Sequence, residues 1–171
     1  MSGSQRLWRA SVVALLGLGI LTAAPQAQRK QPLPEASVKA HDGKDVALAA
    51  LSQDAQWLLL YVGGADSTAS TRLLEALAKW DLGEALTRVV IVVGDTADIQ
   101  TAARLWADRL PGAQWYGDPA GNAGRALKLR GAPTLIGARG PSVEWVLAGV
   151  LNDPTMLRDV VRSWVTPRVL R

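Results

Sequence analysis

Tyr61-Val-Gly-Gly-Ala-Asp-Ser-Thr-Ala-Ser-Thr-Arg-Leu-Leu74 leads from an apolar strand through a small polar loop into an amphipathic helix. Just upstream, Trp57-Leu-Leu-Leu-Tyr-Val62 is a continuous apolar run, the pattern of a strand buried on both faces. After the Gly63-Gly64 break, Leu73, Leu74, Leu77 and Trp80 recur at helical spacing, while Arg72, Glu75 and Lys79 face away. Further on, Gly131-Ala-Pro-Thr-Leu135 sets a proline just ahead of another apolar strand, Thr134-Leu-Ile136.

Working outward, Ala36-Ser-Val-Lys-Ala40 and Asp45-Val-Ala-Leu48 flank His41-Asp-Gly-Lys44, an Asp-Gly turn between alternating runs that predicts a hairpin. Leu48-Ala-Ala-Leu51 reads as a single helical turn, and Arg88-Val-Val-Ile-Val-Val93 as a second buried strand. Gly94-Asp-Thr96 ends that strand and offers a cap for a helix with Ile99, Ala102, Ala103, Trp106 and Leu110 inward. Gln114-Trp-Tyr116 is a short strand, followed by the turn Gly117-Asp-Pro-Ala-Gly121 and a brief helix from Ala123 to Leu129. Val143-Glu-Trp-Val-Leu147 returns from Thr134-Leu-Ile136 across a loop, Gly137 to Ser142. Asn152-Asp-Pro154 opens a last helix whose face is Met156, Leu157, Val160, Val161 and Trp164. Strands alternating with helices, then a terminal hairpin and helix, predict a mixed sheet covered on both faces.

The 171 residues suit one domain and a short leader. Arg6 and Arg9 precede the uncharged run Val12 to Ala24, which ends in small residues before Pro25-Gln-Ala-Gln28. This is the pattern of a secretory signal peptide over residues 1–28, cut after Ala24 or Ala27, with an uncleaved anchor as the alternative. A run of 13 residues falls short of the ~20 that span a bilayer. Removing 1–28 takes two arginines and no acidic residue, lowering the formal charge from +4 to +2. Residues 29–35 contain two prolines and read as an extended linker, 36–166 as the domain and 167–171 as a tail. The expected location is exported, periplasmic or secreted.

Arg125, Lys128 and Arg130 form the one internal basic cluster; with few aromatics interleaved, they read as a solvated face and not as a nucleic-acid surface. The chain contains no cysteine. Its core must stand on burial alone, which roughly 140 residues can supply. Seven tryptophans and no phenylalanine place most of the aromatic mass on apolar faces of the predicted elements.

These segments resemble the thioredoxin-like superfamily, specifically its exported redoxin branch of TlpA-type thiol-disulfide proteins and peroxiredoxin-like domains. The resemblance covers about residues 33–165. It is carried by the hairpin with Asp42-Gly43, by Leu48 and Leu51, by Asp118-Pro-Ala-Gly121 running into Leu127, Leu129, Gly131, Pro133 and Thr134, and by Gly149. It implies a thioredoxin-like three-layer α/β/α fold with a central mixed sheet and an N-terminal β-hairpin extension. In that family the proline at the position of Pro133 is cis and lies beside the redox motif. The implied consequence is that Ala132 exposes unpaired backbone groups, which in relatives pair with an extended peptide. Ala132, Pro133 and Thr134 are therefore the candidate peptide-binding loop.

The redox motif itself is missing. Where the family places Cys-x-x-Cys, at the start of the helix after the first core strand, this chain has Ser67-Thr-Ala-Ser70; strict counting from Tyr61 would instead align Asp66 and Ala69. A helix N-terminus lowers a cysteine pKa from ~8.5 to ~3.5–7.5. The same field is worth only ~0.3–2 kcal/mol to a serine hydroxyl, which stays un-ionised. Ser67 and Ser70 are thus vestigial positions that read as helix caps. A serine hydrolase would need a general base, and the single histidine, His41, falls in a predicted hairpin turn far along the chain. Asp95, Asp98 and Asp118 lack metal-ligand spacing, and no Gly-rich phosphate loop precedes a helix-starting lysine. The expectation is no catalytic residue, no metal and no cofactor. The partner expected is a protein or extended peptide, with membrane contact only through an uncleaved leader. The alternative is an accessory subunit of a thiol-disulfide or peroxiredoxin-type system whose reactive thiols lie on another chain, with an exposed apolar patch at Trp80 or Trp115.

Overall fold

The computed structural model describes residues 30–80, 86–149 and 154–165. The expected leader, the expected tail and the expected helix start at Asn152-Asp153 lie outside the described residues. In chain order the elements are β1 (Gln31–Pro32), β2 (Ser37–Lys39), β3 (Asp45–Ala47), a 3-10 turn (Leu48–Leu51), β4 (Gln56–Val62), α1 (Thr68–Ala78), β5 (Thr87–Val92), α2 (Thr96–Trp106), β6 (Gln114–Gly117), α3 (Asn122–Ala126), β7 (Thr134–Arg139), β8 (Ser142–Ala148) and α4 (Pro154–Val165). No helix among the described residues is long and apolar enough to cross a membrane.

One eight-stranded sheet has the order β1-β8-β7-β4-β5-β6-β2-β3. β4 is parallel to β5 and antiparallel to β7, and β5 is parallel to β6, so the sheet is mixed. The apolar run of β4 explains its central place. Leu58, Leu60 and Val62 point into one core with Leu73, Leu74 and Leu77 of α1, Ala102 and Trp106 of α2, and Leu157 and Val161 of α4. Trp57, Leu59 and Tyr61 point to the opposite face, against Leu33, Val38, Leu48, Leu51 and Ala123. Side chains that alternate between two cores leave the strand no solvent face, so its backbone must be paired on both edges.

α2 begins with a reciprocal cap: Asp95 Oδ1 accepts from the N–H groups of Ala97 and Asp98, while Asp98 Oδ2 accepts from the Asp95 N–H. α4 is latched by Trp164, whose Nε1 donates to Glu144 Oε2 at 2.6 Å and whose carbonyl accepts from Gln56 Nε2 at 2.7 Å. Burial pushes the Glu144 carboxyl up, but bonds from Trp164 and Arg139 outweigh it and hold the group below its ordinary value.

Several expectations are corrected. Gly137 to Ser142 is not a loop: β7 runs on to Arg139 and β8 starts at Ser142, leaving a two-residue turn. Gly137 does not break the strand; it makes room for Trp145 opposite, whose indole would collide with a Cβ there. Within 29–35, Gln31 and Pro32 pair with Val143 and Ser142 despite the proline, which is tolerated because β1 is an edge strand. α3 ends at Ala126, and Lys128 takes a left-handed conformation, φ 56°. Met156 is 58% exposed and faces out, whereas Leu157 and Val161 are buried. Trp80 and Trp115 are half-buried and packed against the core of α1 and α2.

Gly137→Ala should destabilise the protein by about 1–3 kcal/mol through overpacking. The midpoint of urea unfolding, with unchanged slope, measures it.

Candidate functional site

Gly63 and Gly64 end β4, and the chain turns back at once, with the Ser67 N–H donating to the Gly64 carbonyl at 2.9 Å. A Cβ on Gly63 would sit 2.9 Å from that of Ser67, so the close approach requires glycine. Ser67 is the N-cap of α1; its Oγ accepts from the Ser70 N–H at 3.3 Å and donates to Ser70 Oγ at 3.0 Å. Ser70 plays a different part from the cap expected of it. It is 2% exposed, and its Oγ accepts the Gly63 N–H at 2.8 Å, tying the end of β4 to the first turn of α1. No histidine or carboxylate bonds either hydroxyl among the described residues. His41 is exposed and lines a separate cleft with Gln100, Arg104 and Trp115. The geometry therefore gives neither serine a base, and no group of His, Cys, Asp or Glu suited to a metal occurs among the described residues.

Beside Ser70 lies a cleft of about 280 Å³ between α1 and α2, with Thr71, Leu105 and Trp106 in its walls. Arg109 stands at its rim, stacked 4.5 Å over Trp106 and 3.7 Å from Glu75.

The Pro133 loop emerges at the same end of the sheet, because Thr134, the first residue of β7, pairs with Tyr61 near the end of β4. The Ala132–Pro133 peptide bond is cis. Ala132 is exposed, whereas Pro133 and Thr134 are buried. The carbonyls on either side of Ala132 are taken: Pro133 O accepts from Gly149 N–H at 2.8 Å, and Gly131 O from Thr134 Oγ1 at 2.7 Å. Among the described residues no hydrogen bond engages the Ala132 backbone. A depression of about 320 Å³ follows the loop, lined by Arg130, Gly131, Ala132, Pro133, Ala148 and Gly149. Among the described residues it shares no lining residue with the cleft at Ser70. The two candidate segments thus lie at one end of the sheet but face different depressions.

Sequence reasoning missed a buried polar pair that positions this loop. Tyr61 Oη donates to Asp118 Oδ2 at 3.0 Å, and the same oxygen accepts the Gly124 N–H at 3.0 Å. Asp118 is 1% exposed. Gly124 sits so close to the Tyr61 hydroxyl that no Cβ fits. Burial, followed by the neighbouring Asp118 carboxylate, pushes the Tyr61 hydroxyl well above its ordinary value. The pair pins α3, and with it the chain entering the Pro133 loop, to the end of β4. The signal available was a tyrosine inside an otherwise aliphatic run, a polar tip that burial obliges to find a partner.

In a comparison with solved structures, peroxiredoxin 5 from Alvinella pompejana superposes with a TM-score of 0.64 at 16% identity, over 78% of this chain and 97% of that one. The fold is thioredoxin-like. The structure of MTB dsbF (TM-score 0.61, 14% identity, 78% of this chain and 97% of that one) shares the same thioredoxin-like architecture. So does a thio-disulfide isomerase from Thermus thermophilus (TM-score 0.56, 17% identity, 78% and 94%). No protein-family model and no curated protein sequence matches the chain.

An unfolded-state tyrosine ionises near pH ~10, whereas the raised folded value lets Tyr61 keep its proton there. Above that pH the unfolded state binds fewer protons, so Tyr61 should make stability fall as pH rises, by at most about 1.4 kcal/mol per unit. Tyr61→Phe should flatten this part of the alkaline slope, measured by urea unfolding from about pH 9 to 11.

Proposed function

We propose that this chain is an exported thioredoxin-fold protein that acts by binding and not by thiol chemistry, holding an extended segment of a partner protein at the loop Ala132, Pro133 and Thr134. One observation carries the reading. Ala132 is exposed and its backbone is unengaged among the described residues, while the flanking carbonyls of Gly131 and Pro133 are held by Thr134 and Gly149. A backbone unit presented in this way offers a peptide one donor and one acceptor, the elements of strand addition. Small neighbours, Gly131, Ala148 and Gly149, let another backbone come close.

The chain contains no cysteine, so no thiolate is available for exchange with a disulfide or a peroxide. Ser67 and Ser70 then serve as the joint between β4 and α1. Export is supported by Arg6 and Arg9 ahead of the uncharged run from Val12 to Ala24.

A photocrosslinking phenylalanine analogue at Ala132 should form adducts with a partner protein in intact cells, while the same group at Lys44 in the hairpin turn should not. Adducts at neither position, or equally at both, would overturn the reading.

A further inference from the structure

Of the six described residues lining the depression beside Pro133, four are glycine or alanine (Gly131, Ala132, Ala148, Gly149). They accept a backbone but cannot tell one peptide from another. Pro133 adds an apolar wall, so among the described residues Arg130 is the one lining side chain with chemistry to select by. Resting on the peptide-binding reading, we propose that the segment held here is acidic, with an Asp or Glu side chain received by the Arg130 guanidinium.

The charge pattern around the loop supports this. From Pro119 to Val143 the chain carries Arg125, Lys128, Arg130 and Arg139 and no acidic residue. Two of these are committed elsewhere: Arg139 pairs with Glu144 at 3.1 Å, and Arg125 donates to Asn122 Oδ1 at 2.6 Å. Arg130 and Lys128 are exposed and make no ion pair among the described residues. The local fold turns both outward: Leu127 and Leu129 pack on the core of the opposite face, and the left-handed turn at Lys128 sends the alternate positions to solvent. Lys128 lines a neighbouring groove that also holds Glu35, so its field at the loop is the weaker. Arginine presents a planar fork matched to a carboxylate. Arg130 precedes Ala132 by two residues, so in an extended peptide the carboxylate belongs about two positions from the residue that pairs with Ala132. Among the described residues no aromatic side chain lines the depression to give the stacking plate that a single-stranded nucleic acid uses.

The test is selection of random peptides of about twelve residues, joined to the display scaffold by their C-termini so that only side chains supply carboxylates. The full-length protein should select peptides enriched in Asp and Glu, and Arg130→Glu should reverse the preference toward Lys and Arg. With a selected acidic peptide, Arg130→Gln should weaken binding about tenfold and Lys128→Gln no more than about twofold, the weakening by Arg130→Gln shrinking at high salt. Circular dichroism of the variants should match that of the parent. Selection of peptides without acidic enrichment, or an enrichment unchanged in Arg130→Glu, overturns this inference and leaves peptide binding standing. A single-stranded oligonucleotide binding as tightly as the selected peptide overturns it too, by showing an unselective anion surface. Failure to select any peptide removes both this inference and the reading beneath it.

Discussion

A strand without a solvent face determines where the rest of this molecule goes. From Trp57 to Val62 every side chain of β4 is buried, alternately in two cores, and burying each large apolar side chain is worth about 1.5–3 kcal/mol. Such a strand cannot lie at an edge, where its unpaired backbone would face water. β5 and β7 therefore flank it, one parallel and one antiparallel. The antiparallel partner brings the start of β7 beside the end of β4, and that is why the turn at Gly63 and the loop at Pro133, 70 residues apart in sequence, share one end of the sheet.

What those two loops can do follows from the atoms they carry. At the first turn of α1 the field that would stabilise a thiolate meets hydroxyls, and Ser70 uses its oxygen to accept the N–H of Gly63. The hydroxyl pair thus contributes to the geometry of the joint, giving the half-buried Gly63 N–H its acceptor. The proposed recognition falls to the neighbouring loop, where the backbone of Ala132 and the guanidinium of Arg130 need no sulfur. Tyr61 and Asp118 complete the arrangement by holding α3 against β4, so that the segment from Leu127 to Pro133 begins from a fixed point.

Much of the fold was legible because its signals are local. The β-branched and aliphatic runs of β4 and β5, the Asp42-Gly43 turn, the helical spacing of Leu73, Leu74 and Leu77, and the cap at Asp95 each act within a few residues. What was not legible depends on contacts between distant residues. Gly137 looks like punctuation until Trp145 is seen lying against it, and Pro32 looks unpairable until it is seen at the outer edge beside β8. Met156 fits the apolar spacing of α4 but misses the sheet. At the candidate site, the order of Ser67 and Ser70 was readable as a helix start, but the division of labour between them was not, because it rests on the N–H of Gly63 just beyond the preceding strand. Tyr61 and Asp118 were invisible as a pair for the same reason, being joined across 57 residues.

The amide of Ala132 is the most direct probe of the proposed binding through the loop's backbone. Its hydrogen exchange, followed by NMR in the free protein and with a saturating acidic peptide, should be fast in the first state and slowed by at least about tenfold in the second. The amide of Gly43 in the hairpin turn should be unchanged. An Ala132 amide that exchanges equally fast in both states, while the peptide is bound, would contradict the account.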